Sequence, residues 1–321
     1  MTALSRRTWP FGLIARKIAR RLANAVLVLL AAASLAFAAL HLTPGDPVTA
    51  ILGGGTQTPS PETIAAARHE YGLDRPISVQ FGLYIARLAS GNLGQSFSQH
   101  MPVADVLRAQ GPATLALMAS ALLTAWLLAV LSIVFAVGRR TTAFARTTET
   151  FFAGLPQFWL AILLLWALGF ELQIFPPAGN RGLRSLVLPT LSLAIPLGGF
   201  LARVMRDSFD LALHEPFILT ARARGTPEWL IRLRHALRHA LLPGISLSAW
   251  AVGALVGNGV VIEMIFSRRG IGRELFLAVM THDMPLVSGI ILFIALVYIL
   301  AGIATDALYV VVDPRLKATR S

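Results

Sequence analysis

Long apolar runs alternate along the chain with short polar stretches rich in arginine. The apolar runs fall at roughly 22–42, 112–137, 151–170, 186–202, 244–262 and 286–305. Each is near the ~20 residues with which an α-helix crosses a hydrocarbon core of ~30 Å. Backbone groups in lipid must bond within their own segment, so each run predicts a helix. The expectation is an all-α membrane protein with six transmembrane helices. Along the chain this predicts a basic segment over 1–21, a first span over 22–42, a helical extracytoplasmic insertion over 43–111, a core over 112–312 and a tail over 313–321. A polar loop over 207–240 separates the fourth and fifth spans and is expected on the cytoplasmic side.

The basic residues give the orientation. With the N-terminus inside, nineteen of the 28 Lys and Arg residues fall on the inner side: those before the first span, Arg139, Arg140 and Arg146, the group from Arg203 to Arg238, and those after Asp313. Excess Lys and Arg marks cytoplasmic loops, so both termini are expected in the cytoplasm. Arg16, Lys17, Arg20 and Arg21 before an apolar run that contains Ala36-Phe37-Ala38 resemble a secretory signal. The run is 21 residues long, beyond the 7–15 of a cleaved signal, and reads as an uncleaved span.

Composition narrows the function classes. Of 321 residues 55% are hydrophobic and 14% charged, with a mean hydropathy of +0.67, which excludes an ordinary soluble domain. The net charge of +12 could suggest nucleic acid. The arginines are instead interleaved with apolar spans, so they read as topology signals and contacts to anionic lipid, with no nucleic-acid partner expected. There is no cysteine, which excludes disulfides, thiolate catalysis and cysteine metal sites.

Local patterns refine the loops. The insertion opens on "TPGDP", where Pro44, Gly45 and Pro47 enforce a turn. In "SPETIAAARHEYGL", Ser60 can cap a helix with Pro61 first and Glu62 and Thr63 in its first turn. The triple glycine at 53–55 lacks the Lys-Ser/Thr of a phosphate loop and reads as a flexible turn. The fourth span carries Pro189, Pro196, Gly198 and Gly199, predicting kinks and a site of motion. In the polar loop, Glu215 and Pro216 fit a helix start and Gly225 its C-cap. Thr226, Pro227 and Glu228 then begin a second, amphipathic helix that runs back into the membrane. Small residues at Ala221 and Ala223 permit close approach by a partner.

Several isolated polar residues are candidates for chemistry. Glu263 near the outer end of the fifth span is either a pathway group or part of an interfacial ion pair with Arg268 and Arg269. Asn258, beside the Gly253 and Gly257 pair, either bonds across helices or lines a pathway; Gln157 after Pro156 has the same two roles open. His235 and His239 share a helix face, but no third ligand is apparent and Arg234 and Arg238 oppose a cation, so no metal site is expected. Asp306 near the inner end of the sixth span is expected to pair with a basic neighbour or to cap backbone, and Asp313 and Arg315 to anchor the inner interface. No Ser/His/Asp set, carboxylate pair or phosphate cradle is present, so no catalysis by this chain is expected.

The order of motifs along the chain resembles the permeases of binding-protein-dependent ABC importers, specifically the dipeptide, oligopeptide and nickel class. The motifs are "TPGDP", "YGLDRPISVQF", "GNLGQSF", "GPATLAL", "LPQFWLAILLLW", "LVLPTLSLAIPL", "TARARG" with "RHALRHALLP", "VVIEMIFSRRGIGREL" and "DALYVVVDPR". The sequence departs from the family's pattern at Arg268 and Arg269, often Trp-Pro there, and at Leu219, where the general loop has Glu. The resemblance implies a six-span subunit paired with a second, unlike permease. Two cytoplasmic ATPases that use ATP and Mg²⁺ bind below, and a solute-binding protein docks above, this chain holding no cofactor. The loop would dock on an ATPase through Glu215, Thr220, Ala221, Arg222, Ala223 and Gly225. The solutes implied are dipeptides or oligopeptides, with glutathione, nickel complexes and metallophores as alternatives.

Two other classes compete. A stand-alone channel or secondary carrier needs ionisable residues buried mid-span, and spans two to four have no acid at their centres; no inverted repeat is visible either. An intramembrane hydrolase needs a facing nucleophile and base, and His41 is the only histidine near a span.

Overall fold

The computed structural model describes residues 11–42 and 74–312, together with Glu62, Ala65 and Arg68. The expected turn at 43–47, the triple glycine, the helix start at Ser60, Pro61 and Thr63, and Asp313 and Arg315 lie outside the described residues. Within them the chain forms helices and no strand, apart from an isolated bridge between Gln95 and Pro102. The helices are α1 (Phe11–Leu42), α2 (Ile77–Ala89), α3 (Val103–Phe135), α4 (Arg139–Ala153) and α5 (Gln157–Glu171, π-helical from Leu165). They continue with α6 (Arg184–Leu213), α7 (Pro216–Ala223), α8 (Glu228–Ile265, with a π turn over Arg232–Ala236), α9 (Ile271–Met280) and α10 (Met284–Val312).

Helices α1, α3, α6, α8 and α10 are each long and apolar enough to cross a membrane; α4 and α5 make a sixth crossing only as a pair bent by 97°. The third span, expected to run unbroken from 151 to 170, is therefore corrected: it breaks at Gly154–Pro156 and resumes at Gln157. Proline disfavours helical backbone in the residue before it, and Pro156 itself is extended at ψ 126°. The long helices also outrun their apolar runs, α3 starting at Val103, α6 ending at Leu213 and α8 starting at Glu228. Helical hydrogen bonding continues where lipid contact stops, whereas hydropathy registers only the lipid-facing part.

α6 is the central post, packed by α3, α4, α5 and α8. Leu188, Leu193, Leu201, Met205 and Phe209 are all fully buried along it, against Ala121, Ala125 and Ala129 of α3. A Cβ on Gly199 would lie 2.8 Å from the Glu149 carbonyl and 2.9 Å from the Ala153 nitrogen, so this glycine is what lets α4 approach so closely. The kinks expected from Pro189 and Pro196 do not interrupt α6. Pro189 supplies no N–H to the Ser185 carbonyl four residues back, and Arg268 Nη1 donates to that carbonyl at 3.1 Å instead. A second core joins Val103, Val106 and Leu107 of α3 to Ile271 and Ala278 of α9 and Leu286 and Ile290 of α10.

Candidate functional site

The polar segment between α6 and α8 is built as the residue types dictate. Glu215 is the N-cap of α7 and Pro216 its first residue; Gly225, at φ +76°, follows the C-cap and turns the chain. The next helix starts one residue later than expected, at Glu228 with Pro227 as N-cap, and runs without a break into the membrane-crossing part of α8. Arg222 joins the two limbs, donating through Nη2 to Glu228 Oε1 at 2.9 Å and through Nε to Oε2 at 3.2 Å. His239, four residues from His235, stacks on Phe217 with ring centroids 5.3 Å apart.

A buried arginine of this segment fastens it to the body, and a second, in α6, ties together the helices beside it. Arg232, within the π turn, donates to the carbonyls of Val134 at 2.7 Å, Ile133 at 2.9 Å and Ala136 at 2.8 Å. Those are carbonyls at the C-terminal end of α3, which lack intrahelical partners. Its guanidinium also lies 5.0 Å over the Phe209 ring of α6. One turn earlier in α6, Arg206 pairs with Glu149 of α4, whose Oε1 accepts the Ser132 hydroxyl of α3 at 2.5 Å. Three helices thus meet on one buried ion pair, and α3 and α6 are both held by the segment's own arginine. Nothing in the sequence singles out Arg206, Arg232 and Glu149, because the two guanidinium groups bond to atoms 57 to 99 positions away.

Six residues of the segment were expected to face a partner, and five are exposed: Glu215, Thr220, Arg222, Ala223 and Gly225. Ala221 is the exception and is corrected. It is 8% exposed and packs with Ile218 and Ile231 in a small core that clamps α7 to the start of α8. Its smallness serves that internal contact. The outward apolar residues are Phe217, Leu219 at 63% exposure, Trp229 at 60% and Leu233. The i, i+3 spacing of Ile218 and Ala221 was the signal for the inward face.

Of the three expected pathway residues, two come together. Gln157 at the start of α5 and Asn258 on α8 line one cleft of about 220 Å³, with Pro196 and Phe200 of α6 and Trp250 and Ala254 of α8. Gln157 Oε1 is buried with no hydrogen-bond partner, and Asn258 is exposed with Nδ2 on the Ala254 carbonyl at 2.9 Å. The cleft wall contains two carboxamides and no ionisable side chain.

Glu263 lies apart and is corrected. It is 1% exposed, accepting the Thr114 hydroxyl at 2.6 Å and the Arg273 backbone N–H at 3.0 Å. Thr114 in turn accepts the Ile271 N–H at 2.8 Å, so acid and threonine together cap the start of α9. The expected ion pair with Arg268 or Arg269 is replaced by a loop clasp. Arg268 points to the Ser185 and Gly179 carbonyls, while Asn180 exchanges hydrogen bonds with the Arg269 backbone at 2.9 and 3.0 Å. Asp306 does find a basic neighbour, Arg21 of α1, at 2.5 Å.

On the opposite face, Asp283 pins the loop before α3 to the N-terminus of α10. Its Oδ2 accepts from Ser96 Oγ at 2.5 Å, Ser98 N at 2.9 Å and Ser98 Oγ at 2.7 Å, and its Oδ1 from Leu286 N at 3.2 Å. Burial raises the Asp283 pKa, but these hydrogen bonds outweigh it and hold the carboxyl below the usual aspartate value.

Helices long and apolar enough to cross a membrane, a tethered polar segment and an uncharged cleft beside Gln157 and Asn258 fit a protein that works within a membrane. Residues 121–318 match the family model of the binding-protein-dependent transport system inner membrane component, and residues 14–118 match the N-terminal model of the same systems. The chain belongs to this family. Its relatives include a protein of Brucella abortus (strain 2308) named as a peptide transport system permease, 34% identical over 311 residues, covering 94% of this chain and 98% of the relative. A similarly named protein of Brucella suis biovar 1 (strain 1330) is 35% identical over 93% of this chain and 98% of its own. The glutathione transport system permease protein GsiC of Salmonella typhimurium (strain LT2) is 31% identical, with 94% and 98% covered. This permease is therefore the membrane-spanning subunit of an ABC importer, and its helices form the part through which a solute crosses.

Proposed function

We propose that this permease moves a peptide-class solute across the bacterial inner membrane by alternating access. In this reading it pairs with a second, unlike permease, with two cytoplasmic ATPases on the face of α7 and a solute-binding protein on the face of Asp283. The observation that carries the reading is the outward row of Phe217, Leu219 and Trp229 on a charged segment. The segment's buried Arg232 grips α3 and stacks on Phe209 of α6. Exposed apolar side chains on a polar stretch mark a surface that another protein covers. The excess of basic residues on the same side supports the cytoplasmic assignment of that face and of both termini.

The mechanical route follows from the tethers. ATP binding by the ATPases favours their closed state by differential affinity, which is the only source of work. Closure displaces α7; the contacts of Arg232 to α3 and the salt bridge from Arg222 to Glu228 make α7, the start of α8 and the end of α3 move as one piece. The cleft of Gln157 and Asn258 lies on the solute's path, where carboxamides can exchange hydrogen bonds with peptide groups without holding a charge.

The peptide class rests on the names of the Brucella relatives, with glutathione, itself a small peptide, as the alternative from GsiC. The test is uptake by host cells lacking the chain, against complemented cells, over a panel of dipeptides, longer peptides, glutathione and nickel. Loss confined to peptides or glutathione supports the proposal. Unchanged uptake of all of these, with loss of an unrelated solute, contradicts it.

A further inference from the structure

α4 and α5 make one bent crossing, yet they are held in different ways. α4 is fixed to α6 by charge and by close approach. Arg206 Nε donates to Glu149 Oε2 at 2.8 Å, Arg146 Nη2 donates to Asp210 Oδ2 at 2.7 Å, and Gly199 lets the backbone of Glu149 and Ala153 close in. α5 has no such ties. Among the described residues none of its side chains hydrogen-bonds or ion-pairs with another element, and only Leu160, Ala161 and Gly169 of it are buried. Phe158, Trp159, Ile162, Trp166 and Phe170 are all exposed. Few buried contacts and no polar fastening are the marks of an element that moves before its neighbours do.

The joint between the two helices is uncoupled as well. Gly154 N bonds back to the Thr150 and Phe151 carbonyls, both at 3.2 Å, and Leu155 N to the Phe152 carbonyl at 3.1 Å. Pro156 has no N–H, and Leu160 N reaches back only to the Pro156 carbonyl, at 3.1 Å. Among the described residues no hydrogen bond crosses from α5 to α4, so the 97° angle can change without breaking one. The far end of α5 is anchored through the loop that follows it, where Gly179 N donates to the Phe266 carbonyl at 3.1 Å and Asn180 clasps the Arg269 backbone. At the near end, beside the cleft, Gln157 Oε1 is buried without a partner. A buried acceptor left unpaired is costly, and a change of position relieves it.

We propose that α5 is a gate over the cleft of Gln157 and Asn258. It tilts on its anchored far end with Gly154–Pro156 as the hinge, while α4 and α6 stay together, and the tilt changes the width of the cleft. The gate rests on the ATP-driven cycle proposed above and is independent of the solute. It moves the site of motion away from the prolines of α6, where Arg268 already fills the Ser185 carbonyl that Pro189 leaves free, to the break before α5.

The test uses the full chain in the complex extracted from native membranes, with spin labels on introduced cysteines at exposed positions. Thr147→Cys on α4 is paired with Ile162→Cys on α5 in one variant and with Leu211→Cys on α6 in another. Distances are measured by pulsed electron resonance without nucleotide and with a non-hydrolysable ATP analogue. The 147–162 distance is expected to shift with nucleotide while the 147–211 distance stays constant. Gln157→Leu, which removes the unpaired acceptor, is expected to favour the nucleotide-free distance and to shrink that shift. Equal shifts in both pairs would put the motion in α6 and overturn the gate. Constant distances in both pairs, with a nucleotide-dependent change in the mobility of a single label at Leu219→Cys, would overturn the gate and leave the ATP-driven cycle standing. No response at any of the three would overturn the gate and the cycle together.

Discussion

Arg232 donates to the Val134 carbonyl at 2.7 Å, across 98 positions of sequence, and so ties the segment outside the membrane to the end of a membrane-crossing helix. The same guanidinium reaches Ile133 and Ala136. A planar fork is needed for three divergent carbonyls, and lysine offers a single point charge. Arg232→Lys is expected to keep the permease folded and assembled while lowering uptake more than ATP hydrolysis by the complex. Arg232→Ala is expected to destabilise it by about 2 kcal/mol or more, as hydrogen bonds to a charged group are lost. Uptake and ATP hydrolysis measured side by side in proteoliposomes check this; an equal fall in both for Arg232→Lys contradicts the tether.

The ion pair of Glu149 and Arg206 is fully enclosed and joins α4 to α6, with Ser132 of α3 on the same carboxylate. Removing one partner strands a buried charge, at a cost of about 3–5 kcal/mol. Glu149→Gln and Arg206→Met should each lower thermal stability sharply. The double variant should recover part of the loss, since no unpaired charge remains. A double variant as unstable as the sum of the two would show that the pair is not coupled.

Asp283 gives a pH dependence with a definite sign. Its carboxyl is held below the usual aspartate value in the folded chain. Its stabilising effect is therefore complete above the ordinary carboxylate range and is lost as pH falls through the depressed folded value. Hydrogen exchange in residues 94–102, which Asp283 fastens through Ser96 and Ser98, should accelerate at acidic pH. In Asp283→Asn that segment should exchange faster at neutral pH and lose the acid dependence. An unaltered acid response in the variant would assign it to another group.

Gln157 and Asn258 face one cleft whose wall bears no charge. Replacing both with leucine keeps volume near constant and removes the carboxamides. Solute transport per ATP hydrolysed should fall, with no change in the affinity of the binding protein for its solute. If the double leucine variant transports at the wild-type ratio, the cleft is not on the path.

The helices were legible because lipid forces every apolar run of sufficient length into one form. Their ends were less so, since Val103, Leu213 and Glu228 are helical residues outside the apolar runs. The break at Gly154–Pro156 was readable from the proline, but the uniform greasiness of 151–170 masked it. Pro189 announced a freed carbonyl at Ser185, yet nothing in the sequence points to Arg268, 83 positions away, as its donor. Glu263 was legible as important and misread as to role, because its partners, Thr114 and the start of α9, are fixed by packing. Ala221 carries the same lesson: a small residue permits a close neighbour, and only the fold says whether that neighbour is inside or outside.

The central claim is that the outward face of α7 receives an ATPase, and the absence of cysteine makes it directly testable. Single cysteines introduced as Leu219→Cys, on the exposed face, and Ala221→Cys, turned inward, are alkylated in native membranes with a maleimide that carries a benzophenone, which on illumination inserts into C–H bonds of whatever chain lies against it. The account predicts an adduct between Leu219→Cys and an ATPase subunit, diminished or shifted by ATP, and none from Ala221→Cys. Assembled complexes in which Leu219→Cys yields no ATPase adduct, or in which it is labelled from the extracytoplasmic side, would contradict it.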